Sequence, residues 1–303
     1  MTGAQIAAAA RSQRAVFPRA SLGQRTTDAG FRFLMYAAVA IACLALVTLL
    51  VDVARDGIPA LSAEFLTNYP SRLFPERSGI QSAIVGTLCL MAITAVLVVP
   101  IGVATALYLE EYADEKRWYN RLVEVNIQNL AAVPSVVYGI LGLAFVVRGP
   151  LSLGNVLLAG GITLALLVLP VVIIVSREAI RAVPPSIREA SLALGATQWQ
   201  TIYKHVLPGA VAGIATGVIL SLSRAIGETA PLLVIGASAN TLFNPRGLDD
   251  QFTALPIQIF TWTQQADRAF IPLAAATILV LMAILLVMNS FAIYVRNRYE
   301  QKW

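Results

Sequence analysis

Arg224 and Glu228 stand one helical turn apart near the middle of an almost wholly apolar stretch, Ala210–Ala237. An ionised side chain at the centre of a bilayer costs about 2.5–3.5 kcal/mol on insertion scales, so such residues face a protein interior or a water-filled path rather than lipid. Arg224 would offer a bidentate, permanently charged fork, and Glu228 would orient it. Thr229 follows, and then Pro231, whose ring nitrogen cannot donate to the carbonyl of Gly227. Charge and a freed backbone acceptor coincide here, which marks this turn as the expected meeting point with a polar solute. The competing reading is an ion pair that serves packing alone, with the arginine first, the weaker order at i, i+4. A purely structural helix would be cheaper with leucine at both sites.

A second break is written at Pro134, which releases the carbonyl of Leu130; Ser135, Tyr138 and Gly139 follow it. Small neighbours there permit close helix contact. Ser135 and Tyr138 join Arg224, Glu228 and Thr229 as candidate pathway residues, with Pro134 and Pro231 as candidate kinks.

The chemistry missing from the chain narrows the choice. No G-x-x-x-x-G-K-[ST] occurs, so the chain is not expected to bind or hydrolyse ATP. A single histidine, His205, leaves no His-x-x-x-His metal site, and no G-x-S-x-G nucleophile elbow is present. Cys43 and Cys89 both fall inside apolar runs and read as small core hydrophobes rather than a disulfide or metal pair. No cofactor and no metal are expected, and transport is favoured over catalysis.

The elements that must position these residues follow from composition. The chain has 303 residues, of which 57% are hydrophobic and 13% charged, about half the charge of an ordinary soluble domain. Six apolar runs reach the length needed to span: Phe33–Val53, Ala83–Leu109, Asn126–Val147, Val156–Ser176, Ala210–Ala237 and Ile271–Tyr294. The expected fold is an all-α polytopic membrane domain over residues 33–303, preceded by an arm, 1–32, without expected order. That arm and its long first run do not read as a cleavable signal. With the amino terminus in the cytoplasm, 15 of the 22 Lys and Arg fall on that side and six outside, Arg224 being the remainder. This positive-inside bias places both termini in the cytoplasm and explains the basic pI near 9.4 without a nucleic acid. The segment FTALPIQIFTW is too short and polar to span and is expected to be interfacial or re-entrant.

Residues 177–209 are richer than a connecting loop needs to be. Pro184-Pro185 stops one helix, and Ser186 with Glu189 has the spacing of a capping box that starts another. Ile187, Ala190, Ser191 and Leu194 then share one face, and Gly195 is placed to end the helix. Thr197 and Gln200 repeat the capping-box spacing ahead of Trp199, Ile202, Tyr203 and Val206. Two short amphipathic helices joined at a glycine should lay an apolar face into a groove, either in a partner or in the chain's own helix ends.

These residues carry a resemblance. Glu189-Ala190-Ser191, three residues, Gly195, nine residues and His205-Val206-Leu207-Pro208 resemble the EAA motif of ABC importer permeases, with Ser191 for the second alanine and His205 for the usual isoleucine. The segments AVPSVVYGILGL (Ala132–Leu143) and SRAIGETAPLL (Ser223–Leu233) are similar to those of phosphate importer permeases of the PstA and PstC type, the chain's length being closer to PstA. The resemblance implies a type I importer permease fold in the plasma (inner) membrane. It implies as partners a second homologous permease, an ATPase dimer that binds ATP-Mg, and an extracytoplasmic phosphate-binding protein. It further implies that Ser186, Glu189, Ala190, Leu194 and Gly195 couple to the ATPase, and that a protonated phosphate oxygen can donate to Glu228. Two other readings stay open on the residues alone: a permease for another oxyanion such as sulfate or molybdate, and an ATP-independent channel or carrier.

Overall fold

The computed structural model describes residues 22–114, 116–237 and 241–299. Every regular element among them is helical. Of the described residues, those up to Asp52 form one unit and those from Val53 a second. The first unit holds most of helix α1 (Leu22–Gly57), whose apolar side chains, Phe33, Ile41 and Leu49 among them, are exposed around its whole circumference. The helix begins eleven residues ahead of the run read from hydropathy, so the last third of the expected arm is helical; residues 1–21 lie outside the described part. Cys43, expected in a core, is exposed on this helix.

The second unit is built around three long helices: α3 (Gln81–Leu107), α6 (Leu157–Arg181) and α9 (Leu207–Ile226). Short α2 (Ala63–Thr67) precedes α3. All three long helices are apolar nearly all round, so hydropathy cannot say which face packs; the small residues do. Gly213 and Gly217 of α9 lie four apart and sit against Ala179 and Val175 of α6, also four apart. A Cβ on Gly213 would stand 2.8 Å from that of Ala179. Near the start of α6, Gly161 meets Ile93 of α3, and Gly160 meets Leu90 and Phe252. Pro100 and Pro170 lie inside α3 and α6 without ending them.

The remaining helices cover this core. Between α3 and α6 come α4 (Trp118–Ala131) and α5 (Ser135–Leu141), the latter continued by a wider turn, Gly142–Val147. After α6 come α7 (Pro185–Ala193) and α8 (Gln198–Thr201), the latter joined to α9 through Ile202–Val206. Past α9 lie α10 (Ala230–Val234), α11 (Leu255–Thr263) and α12 (Phe270–Tyr299). The α11 segment, expected to be interfacial or re-entrant, packs into the core: Leu255, Ile257, Gln258 and Trp262 are fully buried. Trp262 packs between Phe65 and Phe270 with its ring tilted against both, the centroids 6.2 and 6.3 Å apart. The Leu255 N–H donates to the hydroxyl of Thr87 on α3 at 2.9 Å, which removes a buried orphan donor from the helix start.

Among the described residues, five helices are long and apolar enough to cross a membrane: Thr27–Ala60, Gln81–Tyr112, Leu157–Arg181, Gln198–Ile226 and Phe270–Arg298. A sixth crossing requires counting Trp118–Ala131 with Ser135–Val147, and these meet at 106°. The continuous run expected over Asn126–Val147 is therefore corrected: its first six residues belong to α4, a helix of mixed polarity, and the rest follows the turn. Proline disfavours the α conformation in the residue before it, and Pro134 itself is extended at ψ 139°, so the chain turns instead of kinking.

Candidate functional site

The run expected to continue from Ala210 to Ala237 stops at Ile226. Gly227 caps α9, Thr229 precedes α10, and Pro231 occupies an opening position of α10, where its missing N–H costs no hydrogen bond. Pro231 is thus a helix starter and not a mid-helix kink. The Gly227 carbonyl is approached by the Thr229 hydroxyl at 3.5 Å.

This break lies against the one at Pro134. Gly139 on α5 packs on Pro231, so closely that a Cβ there would fall 2.8 Å from the Pro231 Cα and 3.0 Å from the Val234 Cβ. Two segments about ninety residues apart in sequence thereby form one wall. The carbonyl of Leu130, freed at the first break, accepts from the Val133 N–H at 3.1 Å and from the Tyr138 hydroxyl at 2.9 Å. Tyr138 is buried. It lines the site, but its hydroxyl is already committed to holding the turn between α4 and α5.

Between the breaks lies a cavity of about 340 Å³, lined by Ser135, Tyr138, Arg224 and Glu228 together with Leu130, Val171 and Ser221. Four of the five pathway candidates meet there; Thr229 does not line it. The Arg224 side chain is 72% exposed and that of Glu228 20%, with Nε and Oε1 4.0 Å apart. A charge-assisted pair closes to about 2.7–2.9 Å, so this one is open and the guanidinium keeps most of its donors. The neighbouring Ser223 hydroxyl donates to Oδ1 of Asn289 on α12 at 2.9 Å and ties α9 to α12 beside Arg224. Asn289 is a polar residue within an apolar run that the motif-based reading passed over.

The second candidate region is the α7–α8 hairpin. Its joint is as expected: Gly195 has φ +84°, with space around its Cα. The Thr197–Gln200 capping box is present, with the Thr197 N–H donating to Gln200 Oε1 at 2.9 Å and the Gln200 N–H to Thr197 Oγ1 at 3.3 Å. The one expected at Ser186 and Glu189 is not. Pro184 holds the cap position and Pro185 starts the helix, which leaves Ser186 inside the first turn. The expected apolar face divides. Ser191, Ile202 and Val206 are buried against the chain itself, and the Ser191 and Thr201 hydroxyls are 2.9 Å apart across the hairpin. Leu194 is 89% exposed, and Leu192, Trp199 and Tyr203 are exposed with it; Glu189 and Ala190 also face outward. The Trp199 and Tyr203 rings stack at 6.1 Å.

A set of ion pairs invisible as a motif fastens this end of the bundle. Glu110, at the end of α3, takes a two-pronged contact from Arg181 at 2.8 and 3.1 Å, and Arg177 bridges Glu110 and Glu124 at 3.4 and 2.9 Å. Arg188 of α7 reaches Glu111. Among the described residues, no cluster of three or more His, Cys, Asp or Glu is arranged to hold a metal ion.

Comparison with known proteins agrees with this architecture. The chain is 32% identical over 274 residues to the phosphate transport system permease protein PstA 1 of Mycobacterium tuberculosis, covering 88% of this chain and 89% of that protein. It is 35% identical to PstA of Mycobacterium leprae over 80% of this chain and 81% of that one, and 31% identical to PstA of Yersinia pestis over 82% of each. Among solved structures, the fold matches a bacterial alginate ABC transporter in complex with a periplasmic protein at a TM-score of 0.66, with 18% identity, over 91% of this chain and 98% of that chain. The inward-facing MetNI methionine ABC transporter matches at 0.60, with 17% identity, over 73% and 98%. Residues 98–301 match the family described as the inner membrane component of binding-protein-dependent transport systems, and the chain belongs to that family.

Proposed function

We infer that this chain is a transmembrane permease subunit of an ATP-driven importer of inorganic phosphate, forming half of the translocation pathway. Its relatives named as phosphate transport permeases support the substrate, and the paired helix breaks support the place. The observation that carries the reading is the open Arg224 guanidinium on the cavity wall, 4.0 Å from Glu228 and not closed upon it. An anion entering the cavity meets a fork that can take two oxygens at once. Glu228 limits how tightly the anion is held, and accepts from a protonated phosphate oxygen that fully deprotonated sulfate lacks. Ser135 adds a hydroxyl to the wall, Tyr138 fixes its shape, and Thr229 stands at the break beyond it.

The chain does no catalysis in this reading. ATP-Mg is bound by a separate ATPase dimer, on which the exposed Leu192, Leu194, Trp199 and Tyr203 dock, with Glu189 and Ala190 on the same hairpin. A second homologous permease completes the pathway, and an extracytoplasmic binding protein delivers the phosphate. Both termini lie in the cytoplasm.

The test is ATP-driven uptake of labelled phosphate by the complete complex in proteoliposomes. Excess unlabelled phosphate should compete, whereas sulfate and molybdate at the same excess should not. Arg224→Gln should abolish uptake in a complex that still co-purifies. Uptake at the wild-type rate in that variant would assign the pair to structure alone.

A further inference from the structure

Arg188 lies on α7 directly before Glu189, where the motif begins, yet its side chain turns away from the exposed face. It is only 22% exposed and makes contacts in two directions. Toward α6, Nη1 donates to the Val183 carbonyl at 2.7 Å, just past the helix end, and Nη2 to the Ile180 carbonyl at 2.9 Å, which also accepts from the Val183 N–H at 3.2 Å. Toward α3, Nε and Nη2 donate to Oε1 of Glu111 at 3.0 and 2.8 Å. Glu111 sits on the widened turn Tyr108–Tyr112 that closes α3, with its side chain only 9% exposed. The same residue receives the other arm of the hairpin, because the Gln198 side-chain amide donates to the Glu111 carbonyl. Both short helices are therefore fastened to one residue at the end of α3, and α7 is fastened to the end of α6 as well.

We propose that Arg188, seated on Glu111, is the positioning residue that makes the α7–α8 hairpin and the ends of α3 and α6 a single rigid body. A movement imposed on the exposed Leu192–Leu194 edge then passes to the transmembrane helices instead of being lost as rotation of the hairpin. The chemistry suits the task. A planar guanidinium with five donors in a fixed fork resists shear in two directions, where a lysine on a flexible stem would pivot. The pair is largely withdrawn from water, so salt screens it weakly. A side chain at Gly195 would meet nothing within 4 Å, so no side-chain packing stiffens the joint, and Arg188, Gln198 and the Ser191–Thr201 contact help to hold the two arms together. Arg188 touches neither the cavity nor the exposed edge, so its role is transmission.

The inference rests on the reading that the hairpin docks on an ATPase subunit, and one set of measurements separates the two. The complete complex is purified by a tag on this chain; binding-protein-stimulated ATP hydrolysis and phosphate uptake are then measured in proteoliposomes. Absence of the ATPase from the wild-type preparation overturns the docking reading itself. With the ATPase present, Arg188→Met should co-purify it in wild-type amount yet lose stimulation by about tenfold, the scale set by losing charge-assisted hydrogen bonds. Arg188→Lys, which keeps the charge but not the fork, should recover part of the stimulation. Glu111→Leu combined with Arg188→Met should be no worse than Arg188→Met alone, as expected of two members of one joint. Wild-type stimulation in Arg188→Met, or additive losses in the double variant, would overturn the proposal. If Arg188→Met does not assemble, Arg188→Lys and Glu111→Gln decide: reduced stimulation at wild-type subunit content supports the joint, and full stimulation in both refutes it.

Discussion

At 4.0 Å, the Arg224–Glu228 contact is too long to neutralise either group and too short for either to be independent of the other. That spacing separates the effects of changing them. Arg224→Lys keeps a charge in the cavity but replaces a planar fork with a point donor. Phosphate uptake should fall by roughly one to two orders of magnitude, corresponding to the one charge-assisted hydrogen bond lost, without loss of the partner subunits. Glu228→Gln leaves the guanidinium unopposed, so the expected result is tighter retention of phosphate with slower release. Measured at steady state, this variant should show a lower apparent Km together with a lower maximal rate. An unchanged Km would mean that Glu228 does not face the substrate. Tyr138 behaves differently: its hydroxyl serves the Leu130 carbonyl, so its contribution is to the wall.

Helices in this chain are ended by proline and glycine more than by side-chain caps, and the hairpin shows what that implies. Gly195 has φ +84° and open space around it, so a substitution there meets no steric neighbour but must pay for the left-handed backbone. For a β-branched residue this costs about 1–2 kcal/mol, and asparagine tolerates the conformation several-fold better than most residues. Gly195→Val should therefore lose substrate-stimulated ATP hydrolysis in the assembled complex, whereas Gly195→Asn should retain most of it. Equal stimulation in the two variants would show that the joint's geometry does not govern coupling. The capping box at Thr197 and Gln200 fixes the second arm, while the first starts at a proline and draws its anchorage from Arg188.

Six crossings exist only if the two helices that meet at 106° count as one, which makes sidedness a test of the whole architecture. In a background with Cys43 and Cys89 replaced by alanine, single cysteines at Leu73 and Lys116 report two connecting regions, and one at Asn297 reports the carboxyl-terminal end of the last span. An impermeant thiol reagent applied to intact cells should label Leu73→Cys only, because an even number of crossings leaves the chain's end on the side where it began. Labelling of Asn297→Cys from outside would break the even count, and labelling of Lys116→Cys would invert the chain.

Hydropathy and local spacing by themselves determined that the chain is a helical membrane protein, that Arg224 and Glu228 stand one turn apart within an apolar stretch, and that Gly195 and the Thr197–Gln200 box build a helical hairpin. Each of these is a property of residues within two turns of one another, where helix geometry dictates who meets whom. The tertiary structure decided what prolines only permit. Pro134 removes a donor wherever the chain goes next, but the 106° turn depends on Gly139 having Pro231 to pack upon and on Tyr138 reaching back to Leu130. Likewise Pro231 could have kinked a continuous helix; it starts a new one because α9 stops at Gly227. Arg188 and Glu111 are 77 residues apart, and their pairing has no period or motif to announce it. Charged side chains near helix ends have many nearby partners of either sign, and only the packing of α3, α6 and α7 selects among them.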